Sequence, residues 1–416
     1  MSKQSVFAAI DVGTNKVCSI IANKGDNDGL RILGVGVVPS RGVRKGIVID
    51  VDETREAIRE SVRKAEMTSG VKVESAYIGI SGRHVSSANT SSAVAISRGD
   101  RVVHTRDLKR VFGDVRNVKV SPDRQLLHVI PRGYSLDGHE GVKNPVGMHG
   151  FRLDADTHVI TASQTSVQNL AKAVKGAGVE IEDLVLSPLA AAEAVLSPDV
   201  RAAGVALIDI GGGTAEVSIF KDGSVWFTSV VPFGGYQITR DIAIGLGVSS
   251  ELAEQIKIKH GSVMPTTNGK AKGDVEATHI SANGHDILAQ DLTDIIQSRL
   301  DEIMRLAYNE CPQPEYLVSM LPAGVVLCGG TSNLPGIDRM AREIFGLSVN
   351  IGIPQDVFGL ADQLHDPAYA TSVGLILWGA RQNTGEWQAS NKRLKHRLGF
   401  PVRFMRRQVQ RRFHAI

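Results

Sequence analysis

Apolar residues crowd positions 5–38 in short runs broken by turn residues, and the spacing predicts a meander of strands. The period then changes. Ala57, Ile58, Ser61, Val62 and Ala65 recur at helical spacing, which predicts an amphipathic helix over 53–68. A buried strand is predicted at 76–82, and from about 83 to 165 the pattern turns to short alternating runs with many turn residues. That stretch reads as a small α+β module inserted into the first half. A helix near 166–177, a strand at 180–186 and a small-residue helix at 188–196 lead toward a second half beginning near 204. There a helix-rich stretch is interrupted by a polar loop at 265–275, followed by a long helix at 290–309. A strand breaking at Val325–Thr331 and a small-residue helix at 370–378 complete the globular pattern, and a polar stretch at 381–392 follows.

One short pattern occurs twice in equivalent places of the two halves. Residues 7–20 and 206–219 each run as an apolar strand ending in aspartate (Asp11, Asp209), a glycine turn and a second strand. A turn that aims several backbone N–H groups at a phosphate needs room that a side chain would fill. Gly13, Gly211, Gly212 and Gly213 supply that room; Thr14, Asn15 and Thr214 add side-chain donors, and Lys16 adds a charge. Asp11 and Asp209 are placed to hold a hydrated magnesium ion through water. Each stretch alone reads equally well as an ordinary hairpin. Together they predict two turns gripping one polyphosphate across a cleft.

The chain's 416 residues are long for one core and fit two lobes. Three widely spaced cysteines imply neither a disulfide framework nor a zinc site. A strand begins within five residues of the start, so no signal peptide is expected, and a reducing cytosol fits best. The net charge of +3 hides a segregation: residues 392–416 carry nine Lys/Arg and no acid, leaving the remainder at 38 basic against 44 acidic. Such a tail calls for an anionic partner.

The tail has a pattern of its own. At about 100° per residue Val402, Met405, Val409, Phe413 and Ile416 fall within an arc of about 80°. Arg403, Arg407 and Arg411 lie opposite, while Arg406 and Arg412 flank the stripe and can snorkel. This is the make-up of a helix lying in a lipid headgroup plane rather than spanning the bilayer. A disordered arm for nucleic acid is the alternative, but such arms usually lack a coherent apolar stripe, so an anionic membrane and no nucleic acid is the reading taken.

The two turns, the helix at 188–196, Gly329-Gly330-Thr331-Ser332-Asn333-Leu334-Pro335-Gly336 and the helix at 370–378 resemble, in order, the five motifs of the actin-like nucleotide-binding superfamily. Within it the chain resembles the FtsA family of bacterial cell-division proteins. Leu127-His128-Val129-Ile130-Pro131, Asp137-Gly138, Asn144-Pro145-Val146-Gly147-Met148, Arg152-Leu153 and 250–257 carry that resemblance, which covers about 1–380. It implies an α/β, two-lobed actin-like fold with an inserted α+β subdomain and a C-terminal amphipathic helix. The expected layout is first lobe 1–82, insert 83–165, first lobe again 166–203, second lobe 204–366 with a smaller subdomain at about 240–312, closing helix 367–380, linker 381–391 and tail 392–416.

The resemblance further implies ATP and Mg as ligands, with Glu254 and Lys257 beside the ribose and adenine and Gly329 and Gly330 along the base or α-phosphate. Read alone, Glu254 and Lys257 are an exposed helix pair. It also implies the C-terminal peptide of FtsZ as a partner, with Arg299 the candidate contact, although a solvated arginine paired with nearby acids fits that position equally. Head-to-tail self-association, later division proteins binding the insert, and a peripheral location on the cytoplasmic side of the membrane at the division site complete the expectation. Hydrolysis in this superfamily needs a carboxylate or amide just before the bridging helix; Ser187 stands there, so tight ATP binding with slow or no turnover is expected. The rivals are a sugar or acetate kinase, a chaperone-type ATPase and a pilus-assembly scaffold.

Overall fold

The computed structural model describes residues 6–24, 29–116, 121–264, 279–282 and 285–384. Two sheets are built to one plan. In the first lobe the strand order is Glu180–Leu186, Ser75–Ile80, Val6–Val12, Lys16–Lys24, Leu30–Pro39 and Val357–Gly359. The second lobe has Ser224–Val231, Ala215–Lys221, Val205–Ile210, Val325–Cys328 and Val349–Ile351. Each has a hairpin at its heart whose first strand takes a parallel neighbour on its other side. Strands covered on both faces need near-continuous apolar runs, and the hairpins have them. The registers also correspond: Asp11 lies opposite Cys18, and Asp209 opposite Glu216.

The helices follow from their caps and faces. Asp50 accepts from the N–H groups of Asp52 and Glu53, starting the helix Val51–Ser69. Its buried side is Thr54, Ala57, Ile58, Ser61, Val62 and Ala65, the stripe read from periodicity. The closing helix, Ala370–Thr384, lies against the bridging helix Ser187–Val195. They approach so closely that a Cβ on Gly374 would stand 1.8 Å from the Ala190 carbonyl oxygen. This helix runs past 380 into the stretch expected to be linker. Glu193 of the bridging helix pairs with Arg381 there while also holding Arg201 at 2.8 Å, and those ion pairs extend the packed region.

The insert is a four-stranded antiparallel sheet in the order Val85–Ala95, Arg152–Ser163, Arg124–Leu136 and His139–Val142. The helix Thr105–Arg116 closes over its own small core, which includes Leu108, Val111, Phe112 and Leu153. Three of its strands have 11, 12 and 13 residues, not the short runs the pattern suggested. Serine, threonine and asparagine fill much of Val85–Ala95, so its length comes from eleven paired residues rather than apolar alternation. Arg124–Leu136 shifts register twice against its partner, which scrambles its own alternation. His128 anchors the insert by accepting the Leu186 N–H at 3.1 Å, edge-on to Trp378.

The second lobe adds the helices Gly235–Leu246, Ser250–His260 and Ala289–Glu310. The polar loop expected at 265–275 and the tail at 392–416 lie outside the described residues. Among those described, no helix is long and apolar enough to cross a membrane.

The helix crossing sets a test. Gly374→Ala forces a methyl into the Ala190 backbone and should cost about 1–3 kcal/mol of stability. Urea unfolding of the two proteins would measure it; an unchanged midpoint would show that the crossing yields freely.

Candidate functional site

The two turns close alike. The Gly13 N–H donates to the Lys16 carbonyl at 3.0 Å, and the Gly211 N–H to the Thr214 carbonyl at 2.9 Å. They meet across the gap between the lobes. A Cβ on Gly212 would fall 2.5 Å from the Asn15 side chain, which would have to turn aside, and one on Gly213 would fall 2.6 Å from Thr14 Oγ1 and 2.9 Å from the Lys45 backbone, so Gly213 has no room for a side chain. Thr14 Oγ1 also accepts the Gly46 N–H at 3.2 Å. Above the turns opens a cavity of about 550 Å³, within the range of small-molecule sites. Asp11, Gly13, Thr14, Asn15, Lys16, Asp209, Gly211, Gly212, Gly213, Thr214, Glu254, Lys257, Gly329 and Gly330 all line it. Positions far apart in the chain thus converge on one chamber.

Adjacent residues of the closing helix fasten the two aspartates. The Ser372 hydroxyl donates to Asp11 at 2.8 Å, and the Thr371 hydroxyl to Asp209 at 3.0 Å. Burial pushes both carboxyls up, that of Asp209 to about 6, with the two hydroxyls opposing the shift. A third carboxylate lies beside them. Burial first, then the charge of Asp209, pushes Glu216 up to about 8. One Glu216 oxygen accepts the Gly82 N–H at 3.3 Å; the other, Oε2, is buried without a partner.

Positive charge is scarce there. Lys16 donates to the Ala368 carbonyl at 2.7 Å and sits 3.7 Å over the Tyr369 ring, its pKa lowered by burial and partly restored by Asp11. Glu216, buried and orphaned at an oxygen, and the half-buried Asp11 and Asp209 beside it fit a divalent cation that brings its own water. Among the described residues no three His, Cys, Asp or Glu side chains converge into a direct ligand set.

Glu254 and Lys257 are not the exposed pair that a local reading allows. Lys257 is 9% exposed and donates to Glu254 at 2.6 Å, to Thr239 at 2.8 Å and to the Gly235 carbonyl at 3.2 Å. Burial lowers its pKa, with Glu254 opposing. Gly235 in turn donates to the Gly211 carbonyl at 2.9 Å, tying this helix pair to the second turn. Gly329, at φ +84°, donates to the Pro367 carbonyl at 2.9 Å.

At the head of the bridging helix, Ser187 lines the cavity and donates to the Ile80 carbonyl at 3.3 Å. Glu182 instead accepts from Ser75 at 2.6 Å, away from the chamber. Arg299 lies elsewhere, paired with Asp241 and Glu302 and only 25% exposed. Val402, Met405, Arg406, Val409, Arg412, Phe413 and Ile416 lie outside the described residues.

Several residues of the chamber escaped the sequence reading: Glu216, Ser81, Thr371, Ser372 and Tyr369. Glu216 stands opposite Asp209 on Ala215–Lys221, a pairing that only the sheet reveals. Thr371 and Ser372 read as small residues suited to packing, with no mark of a polar task.

A family model described as "Cell division protein FtsA" matches residues 206–374, and one described as "SHS2 domain inserted in FTSA" matches 82–161. The chain is 36% identical over 383 residues to the cell division protein FtsA of Pseudomonas aeruginosa, covering 91% of this chain and 90% of that one. Against the Escherichia coli K12 protein of that name it is 31% identical over 417 residues, covering 99% of each. Among solved structures, the PilM-PilN type IV pilus biogenesis complex aligns at TM-score 0.65 and 16% identity, covering 90% of this chain and 98% of that one. MreB5 of Spiroplasma citri bound to ADP aligns at 0.54 and 14% identity, covering 94% and 98%. The last two likenesses show the shared actin-like fold.

The buried carboxyls give stability a pH dependence. Unfolded carboxyls titrate near 4, whereas native Asp209 and Glu216 hold their protons to about 6 and about 8. Between those values the native state binds more protons than the unfolded chain, so stability falls as pH rises. Below about pH 6.5 His84 and His158, whose pKa values burial lowers to about 4, act in the opposite sense, so the melting temperature of ligand-free, metal-free protein should drop between about pH 6.5 and pH 8. Glu216→Gln should flatten the upper half of that curve; an identical slope in the variant would count against the assignment.

Proposed function

The chain belongs to the FtsA family of cell-division proteins, and from that membership we propose that it binds ATP with magnesium between its lobes, self-associates, and moors the FtsZ ring to the cytoplasmic face of the cell membrane. The observation that supports the nucleotide reading most is the convergence of both glycine turns, Asp11, Asp209, Glu254 and Lys257 on one chamber. The turns offer N–H groups and Lys16 a charge to the phosphates, while Glu254, Lys257, Gly329 and Gly330 line the nucleoside end. Magnesium, when bound, neutralises phosphate charge; Asp11 and Asp209 hold its water shell, and Ser372 and Thr371 hold those carboxylates in place. The fold shared with an MreB5 structure bound to AMPPNP is consistent with this.

Turnover is slow in this reading. Ser187 has no charge with which to draw a proton from water, and Glu182 points elsewhere. The nucleotide therefore acts as a structural ligand of a scaffold, and turnover stays below about one per second.

Mooring falls to residues 392–416. Each basic residue near an anionic leaflet adds up to ~1 kcal/mol, and partial burial of the Val402, Met405, Val409, Phe413 and Ile416 side chains adds to that. One foot holds reversibly. Linked subunits hold firmly, because each further foot binds at high effective concentration. The insert serves as an interface for self-association and for later division proteins. For the FtsZ peptide, Arg299 exchanges one of its two present acids for an acid of the partner.

Flotation with vesicles containing an anionic lipid, with and without FtsZ and Mg-ATP, tests the whole reading. The protein should float and carry FtsZ. Val409→Glu with Phe413→Glu should lower the floated fraction by about 100-fold, whereas Arg299→Glu should still float but leave FtsZ behind. Unchanged flotation of the double variant would remove the membrane assignment, and unchanged FtsZ recovery would remove Arg299.

A further inference from the structure

The insert is attached to both lobes. It grows from the first lobe after Ile80, and its strand Val85–Ala95 lies along Ser224–Val231 of the second. Both are edge strands, and an open edge needs cover. No backbone ladder joins them. The Ser87 hydroxyl donates to the Thr228 carbonyl at 2.8 Å, and the Asn89 amide to the Trp226 carbonyl at 3.1 Å. His158 bridges Asn89 Oδ1 at 2.7 Å and the Thr228 hydroxyl at 3.0 Å. From the other side the Ser224 hydroxyl donates to the Pro131 carbonyl at 2.6 Å, and Arg132 stacks on Trp226 at 4.0 Å. The seam is polar, and such contacts are individually weak and reversible.

A second attachment sits at the root of the insert. Glu216, on the strand beside Ser224–Val231, reaches across the lobe boundary to the Gly82 N–H at 3.3 Å, the long end of a hydrogen bond. Both Glu216 and Ser81 line the cavity. The second turn, Glu216 and the second lobe's side of the seam therefore belong to one hydrogen-bonded sheet.

Resting on the nucleotide reading above, we infer that the insert senses occupancy of the cleft: closure of the second lobe on a nucleoside triphosphate with magnesium draws Glu216 onto Gly82 and Ser224–Val231 onto Val85–Ala95, tightening the insert. An empty cleft leaves the insert loosely held. The ligand thereby sets how firmly the insert is presented to a second copy of the chain.

Hydrogen exchange on the full chain, with nucleotide binding measured on the same samples, tests this. Saturating Mg-ATP should slow exchange at 82–92 about tenfold in the wild type. Glu216→Leu, which strands the Gly82 N–H, should abolish the change at 82–84, while Glu216→Gln, which keeps an acceptor oxygen, should retain it. Ser87→Ala with Asn89→Ala should bind nucleotide as the wild type does yet lose the response at 86–92. Wild-type protein that binds Mg-ATP without slowing at 82–92, or Glu216→Leu that responds like the wild type, overturns the inference. Failure of the wild type to bind Mg-ATP overturns the nucleotide reading itself and this inference with it.

Discussion

Two neighbouring hydroxyls on one helix hold two carboxylates that belong to different lobes. Thr371 grips Asp209 and Ser372 grips Asp11, so the first turn of Ala370–Thr384 is the place where both halves are referred to a common frame. Each bond is modest, a net ~1 kcal/mol or somewhat more for a charged acceptor. Their value lies in geometry. With the aspartates fixed, the turns that follow them are fixed too, and the chamber has one shape. The close crossing at Gly374 and Ala190 keeps that helix where it must be.

The chamber is held below its electrostatic optimum. Asp11, Asp209 and Glu216 are crowded together with their carboxyls pushed up by desolvation, and Lys16 is diverted to Ala368 and Tyr369. A protein tuned for stability alone would have no use for such a cluster. It favours positive charge, and in the proposed reading a metal-bound polyphosphate would bring that charge together with oxygens for the glycine turns. Binding and stability are thus opposed in the empty protein and aligned in the filled one.

Much of this was visible before any coordinates. Glycine turns such as those at Gly13 and at Gly211 to Gly213 are common in ordinary hairpins, and their repeat at matched positions after an aspartate is what points to a shared ligand. The helix Val51–Ser69 declared itself because its buried face has the helical period. What stayed hidden was set by neighbours distant in sequence. Thr371 and Ser372 are small and polar enough to be filler on any packed helix; only the arrival of both aspartates gives them a role. The long strands of the insert were disguised because Val85–Ala95 satisfies its backbone by pairing while its side chains stay polar. Glu216 was in plain view, yet nothing local distinguishes an inward acid from an outward one.

The same helix that steadies the chamber at one end is held at the other by an ion pair. Fifteen residues at ~1.5 Å each make Ala370–Thr384 a stiff rod of roughly 22 Å, clamped near its far end by Glu193 and Arg381. With the crossing at Gly374 and the Arg381 pair both fixing it, the rod cannot tilt at the aspartate end without straining the other. Arg381 thereby ties the last described turn of that helix to the bridging helix, which supports it at both the Gly374 crossing and the Glu193 carboxylate.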